Sequence, residues 1–379
     1  MQQRPAEHAE RSASHRNEST GVTRCARHAF HSQRTPRAPR FSISWLGVCL
    51  ALAVATSAAL AEDRIVRRQD ARSGGRIVIT GTIEDYTGVE LRIRRSLNNT
   101  VATIPADEVV DVRTDQIEAH TLGERLLSQG NIAEASEQLV QALSRERRRW
   151  VRREILALLV HCEFRRGGYA AATRHFLSLV ESDPATRHFG LIPLAWGNPS
   201  FSVSAKADAR DWFKDRSEVA QLIGASWLVA DPADRERSLI VLKTLSTNAD
   251  RRIRELAQAQ VWRTQVGTNA VTVAILDNWQ RRVEALPESL RAGPSYVVGR
   301  GFASLQEFDR AAVCFLWLPL TDDHDTHLTA RSLLDAAAAL KRIGQIEQAA
   351  SLYREATVRY ADTPAAAEAV DLLRDAQAP

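Results

Sequence analysis

SYVVGRGFASLQEFDRAAVCFLWLPL, residues 295–320, and RSLLDAAAALKRIGQIEQAASLYREATVRYADTP, residues 331–364, decide the fold. Each reads as two short amphipathic helices joined by a tight turn, with small residues where two helices touch and large apolar ones a helical step away. The halves align on their Ala pairs, Ala311-Ala312 with Ala349-Ala350, 38 positions apart. That spacing suits one helix pair per unit, so the stretch is an internal repeat.

The same layout recurs upstream. LGERLLSQGNIAEASEQLVQAL, residues 122–143, puts Leu122, Leu126, Ile132, Leu139 and Leu143 on inner faces and ends its first helix at Gly130-Asn131. Small residues Gly123, Ala135 and Ala142 mark the close approach. RREILALLVHCEFRRGGYAAATRHFLSLVESDP, residues 152–184, repeats the pattern through Gly167-Gly168-Tyr169, Ala172, Phe176, Leu179 and the closing Pro184. With Gly299, Phe302, Phe308, Ala311, Phe315 and Leu318, and with Ala337, Leu340, Gly344, Ile346, Ala349, Tyr353, Ala356 and Pro364, these four units resemble the tetratricopeptide repeat (TPR) family. The resemblance implies an α-solenoid of helix pairs whose concave face recognises a peptide or another protein.

Residues 185–290 depart from the pattern. GLIPLAWGNPSFSVSAKADARDW, residues 190–212, is a Pro/Gly/Ser loop flanked by aromatics, followed by helical stretches with breaks and caps at Asp231-Pro232 and Asn248-Ala249-Asp250. They resemble diverged or HEAT-like helix pairs. A final helix over residues 365–377 would cap the array.

Ahead of the helices the period changes to two. Ile77, Ile79 and Ile83, then Val89, Leu91 and Ile93, alternate with polar residues across a turn at Asp85-Tyr86-Thr87-Gly88, where Gly88 is expected at positive φ. Turns at Asn98-Asn99 and Pro105-Ala106-Asp107 lead to Val101–Ile104 and Val109–Val112, making four short strands in a meander or small open barrel. Asn98-Asn99-Thr100 also fits an N-glycosylation sequon, though turn chemistry accounts for it. Thr114 and Asp115 are expected as caps of the first helix. The fold class is therefore mainly α: an α-solenoid of TPR-like pairs with a small antiparallel β module. The segments are 1–61 leader and signal, 62–75 linker, 76–113 β module, 114–184 TPR-like pairs, 185–290 loop and diverged helices, and 291–379 TPR-like pairs with a capping helix.

The chain of 379 residues carries a net charge of +4, which invites a nucleic-acid reading. The first 61 residues hold eight Arg and three Glu, leaving 42 basic and 43 acidic residues beyond Ala61. A body of charge −1 gives no electrostatic case for DNA or RNA. Arg37 and Arg40 precede the apolar run Ile43–Leu60, which ends in Ala59-Leu60-Ala61; this reads as a secretory signal cleaved after Ala61, with an uncleaved membrane anchor as the alternative. The expected location is exported, periplasmic or secreted. Cys25 and Cys49 leave with the signal; Cys162 and Cys314 are expected as buried thiols and not a disulfide.

Three clusters are candidates for chemistry. Asp322-Asp323-His324-Asp325-Thr326-His327 has divalent-metal ligand types, with Asp323, His324 and His327 as candidates, but Asp and Thr before a helix serve as caps and favourable charge, so no metal is expected. Arg145, Arg147, Arg148, Arg149, Arg152 and Arg153 spread around a helix as a solvated face, with Glu146 and Glu154 available as partners; Arg149 and Arg152 are the candidates for gripping an acidic partner or lipid headgroups. Trp196 with Phe201, and Trp317 beside Phe315, are candidate anchors for a peptide, whereas Trp227, Trp262 and Trp279 read as core. Neither a G-x-S-x-G elbow, a P-loop, an H-E-x-x-H pair nor a glycine-rich dinucleotide turn occurs. The expectation is a non-catalytic scaffold of the cell envelope that needs no cofactor, binds a protein or peptide but no nucleic acid, and makes peripheral contact with membrane or cell wall. The alternative is an envelope enzyme or metal-binding factor using residues 185–210 or the Asp322–His327 cluster.

Overall fold

The computed structural model describes residues 62–69, 75–197, 199–321 and 324–377. The apolar run 43–60, Ala61 with its cleavage point, Cys25, Cys49, Asp322 and Asp323 lie outside the described residues. The protein is mainly helical, with a small antiparallel sheet at the start of the described chain. No helix among the described residues is long and apolar enough to cross a membrane.

The sheet has five strands: β1 (Asp63–Arg68), β2 (Arg76–Tyr86), β3 (Glu90–Arg95), β4 (Val101–Pro105) and β5 (Val109–Arg113), in spatial order β4-β3-β2-β1-β5. Residues 62–75, expected as a linker, begin instead with β1, which lies between β2 and β5. Arg64 and Arg68 point outward and Ile65 points in, but the inward Asp63 and Arg67 are charged as well, which disguises a period-two strand. Only the turn Ala106–Glu108 joins the two edge strands, β4 and β5. So few residues reach about 15 Å at most, less than the roughly 19 Å across a flat five-stranded sheet, so the sheet curls. Gly88 corrects a second expectation. Its φ is not positive; the turn needs glycine because the backbone carbonyl of Ala185 presses where a Cβ would stand.

The inward side chains Ile65, Ile83, Leu91, Ile93 and Ile104 share one core with Leu139, Trp150, Ile155 and Leu159 of the first helices. This burial gives a sheet too small to stand alone its apolar backing.

Four helical hairpins are built alike: α1 (Glu118–Ser128) with α2 (Ile132–Arg145), α3 (Arg149–Arg165) with α4 (Tyr169–Ser182), α10 (Ala292–Ser304) with α11 (Phe308–Thr321), and α12 (Thr326–Arg342) with α13 (Ile346–Arg359). Each second helix is 14 residues long. The turns hold Gly130, Gly167, Gln306 and Gly344 at φ of 83°, 69°, 65° and 83°. The next N–H then reaches back to the first helix: Asn131 to Leu126, Gly168 to Glu163, Glu307 to Phe302 and Gln345 to Leu340, at 2.8–3.0 Å. This is the Schellman pattern, which ends a helix through one left-handed residue. The fourth position of each second helix is a buried Ala (Ala135, Ala172, Ala311, Ala349). The eighth is buried and large (Leu139, Phe176, Phe315, Tyr353), and the eleventh is again buried (Ala142, Leu179, Leu318, Ala356). Gln306 occupies the left-handed position that glycine fills in the other three turns. Gln306→Gly is therefore expected to stabilise the chain by about 0.5–1 kcal/mol, read as a higher urea midpoint; a lower midpoint would show that Gln306 relieves its own strain.

The middle helices end and start differently. α5 (Val203–Phe213), α6 (Glu218–Leu228), α8 (Arg251–Gln265) and α9 (Val273–Glu284) are capped by the side chains of Ser202, Ser217, Asp250 and Thr272; α7 (Arg235–Leu245) begins without such a bond. The Asp250 cap falls where the sequence places it. Thr114 and Asp115 do not cap α1, which begins at Glu118 without a side-chain cap; Thr114 instead links Asp63 to Arg148. Helix α14 (Pro364–Gln377) closes the chain against α12 and α13. Cys162 is buried and Cys314 half-buried, both as free thiols; burial pushes them up to about 11 and about 12.

The helix contact that spans the most sequence is that of α3 against α12. The first and last groups of hairpins therefore meet, and clefts open on either side of that meeting.

Candidate functional site

The larger cleft, about 870 Å³, lies where the start of α4, residues 194–197 and 199–205, and the starts of α12 and α14 converge. Tyr169 begins α4 just after the left-handed turn at Gly167, and its hydroxyl donates to Asp325 Oδ1 at 3.0 Å. Asp325 in turn accepts from the Leu328 N–H as the cap of α12. Burial drives the Asp325 carboxyl upward against the pull of that N–H, Tyr169 and His327. Burial, then the Asp325 charge, pushes the Tyr169 phenol well above its usual range. Around this half-buried pair the walls are apolar: Leu194, Trp196, Phe201 and Leu328. The rims carry the ion pairs Arg174–Asp208 at 3.4 Å and Arg331–Glu368 at 2.6 Å. Such a cleft suits an extended segment with an apolar side chain and polar flanks.

Arg331 and Gly197 also border a neighbouring groove of about 600 Å³ between α10 and α12. Arg300, half-buried there, has no anionic partner among the described residues, while Arg342 lies over Phe308 at 4.8 Å. Asp335 is held by Arg331 at 2.6 Å. The groove thus offers net positive charge beside the apolar cleft.

On the other side of the α3–α12 contact lies a cleft of about 610 Å³. His188 Nε2 sits 3.1 Å from Glu154 Oε2, and Arg187 pairs with the same carboxylate. Although burial works upward, His188 and Arg187 hold Glu154 below the ordinary carboxylate range. His161 and His324 face each other with their Nδ1 atoms 3.2 Å apart.

Comparison with protein-family models gives no match. No curated protein matches the chain either.

The sequence candidates separate. Trp196 and Phe201 do line one cleft, but Trp196 is 8% exposed and pressed against Gly293 of α10, and Phe201 is stacked on Trp227 at 4.2 Å. Both are walls; neither projects as a free anchor. Trp317 borders the other cleft. Arg152 is tied to structure, donating to the carbonyls of Leu143 in the last turn of α2 and of Glu146 just after it. Arg148 is bound by Glu146 and Thr114, and Arg153 by Asp85 and Asp183. Arg149 remains exposed at the first turn of α3. His324 and His327 line different clefts, Asp323 is not described, and no group of three or more metal-ligand residues occurs among the described residues. Sequence reasoning missed the Tyr169–Asp325 bond, which joins positions 156 apart.

Proposed function

We propose that this is an exported TPR-type repeat protein, an α-solenoid with a β module, acting as a non-catalytic scaffold that holds a peptide or protein segment in the 870 Å³ cleft. The observation that carries the reading is the fourfold hairpin, with its shared left-handed turn and its buried fourth, eighth and eleventh positions. Stacked helix pairs of that kind present elongated recognition surfaces. The apolar walls of Trp196 and Phe201, continuous with the groove of Arg300 and Arg331, favour a segment that places an apolar side chain in the cleft and a carboxylate beyond it. A photo-crosslinking residue at exposed Ser204 on the rim should capture a defined partner in cells, whereas one at exposed Val358 should not. Equal capture at both positions, or none at Ser204, would remove the proposal.

A second reading, an envelope enzyme or metal-binding factor, draws on His188 held by Glu154 and on the His161–His324 pair in the 610 Å³ cleft. It predicts that His188→Ala abolishes some hydrolytic activity or metal uptake of the purified chain. The scaffold reading predicts neither signal in the unmodified protein.

A further inference from the structure

Strand alternation sorts the charges of the sheet. Outward positions hold Arg64 and Arg68 on β1, Arg76 on β2, Arg92 and Arg94 on β3, and Arg113 on β5, all exposed. Three carboxylates share this face: Glu84, which binds both Arg92 and Arg94, Asp111, which binds Arg113, and half-buried Glu90 at the start of β3, against six arginines. Arg64, Arg68 and Arg76 have no carboxylate partner among the described residues. Residues 62–113 hold nine Arg and nine acidic residues, so the excess on this face is segregation and not composition. The register makes it costlier still. Arg64 stands directly opposite Arg113, and Arg68 directly opposite Arg76, and like charges in such cross-strand pairs repel. A local cost without an internal counterpart is what an external anion would relieve.

We infer that this face docks on an anionic lipid surface. Apolar residues are interleaved with the arginines: Val78 and Val101 are 48% and 42% exposed on the same face, and Leu97, at the β3–β4 turn beside Arg94 and Arg95, is 97% exposed. Basic side chains reaching headgroups around short apolar ones that enter the interface are the pattern of peripheral membrane binding. Nucleic acid fits less well, because single strands need aromatic platforms. The one aromatic residue of the module, Tyr86, is buried beneath Arg187. This inference stands apart from the cleft and from the scaffold reading.

The test is sedimentation of the full chain with phosphatidylcholine vesicles, with and without phosphatidylglycerol. Residues 43–60 are common to every variant, so differences report the face. The unmodified chain should bind the anionic vesicles at least tenfold better than neutral ones, and binding should fall as salt rises. Arg64→Glu/Arg76→Glu should lose on the order of tenfold or more on anionic vesicles alone. Its melting temperature should hold or rise, because Glu at 64 would face Arg113 and Glu at 76 would face Arg68. Leu97→Asp, at a position exposed to solvent on nearly all sides, is the second variant and should weaken binding several-fold with unchanged melting. Equal binding to both vesicle types, undiminished binding by both variants, or displacement from vesicles by a single-stranded oligonucleotide would overturn the inference.

Discussion

Arg153→Ala should lower stability by about 3–5 kcal/mol and loosen the sheet from the helices. Arg153 rises from α3, is 3% exposed, and spans Asp85 on β2 and Asp183 after α4, the latter at 3.6 Å. Asp183 also accepts the Gly88 N–H at 2.9 Å, so the guanidinium completes a buried junction of three segments. Removing it leaves the Asp183 carboxylate buried with its charge uncompensated, which costs more than the pair gains in water. The aliphatic stem is lost as well, so Arg153→Met should recover part of the loss by keeping that packing. Two measurements follow: the urea midpoint should fall, and trypsin should cut after exposed Arg113, freeing the sheet, at protein concentrations and times that leave the unmodified chain whole. An unchanged midpoint with an unchanged tryptic pattern would mean that the shared apolar core alone holds the sheet.

What the sequence reveals and conceals follows from the range of the interactions involved. The hairpins are legible because their determinants are local. A glycine that takes positive φ, an Ala at the fourth position of the following helix and a large residue four further on all lie within one turn-and-helix segment, as in Gly167, Ala172 and Phe176. Asp250 is legible as a cap for the same reason. β1 is hidden because alternation shows only when outward residues are polar and inward ones apolar; Asp63 points inward, bound to the Ile83 N–H at 2.7 Å and to Thr114, and Arg67 breaks the pattern again. Gly88 reads as a turn glycine because nothing nearby in sequence announces the Ala185 carbonyl that excludes a Cβ. The Arg run from 145 to 153 reads as one feature, yet its members are divided by distant partners: Arg148 to the β5–α1 link, Arg153 to the sheet, Arg152 to the end of α2. The clefts are the least legible part, since they exist where α3 meets α12 and no local pattern encodes that meeting.

Trp196→Ala should also destabilise the chain by about 3–5 kcal/mol, and for that reason it does not report binding. The sequence suggests an aromatic anchor among loop formers, and such an anchor would be removable at little cost. In the fold, Trp196 fills the space above Gly293, where a Cβ would collide with the indole, and packs in the core that joins the middle helices to α10. Truncating it opens a cavity, while Gly293→Ala forces the ring away; each should lower the melting temperature, and each should disturb the cleft wall. A substitution that fills the cleft from its exposed rim separates the two effects. Ser204→Trp adds bulk over the opening without touching the core, so stability should change by less than about 0.5 kcal/mol. Capture of a partner by a crosslinker at Ser200, on the same rim, should then be lost. If Trp196→Ala melts as the unmodified protein does, Trp196 is a free anchor after all. If Ser204→Trp leaves capture intact, the partner sits elsewhere, and the groove of Arg300 between α10 and α12 is the next place to block.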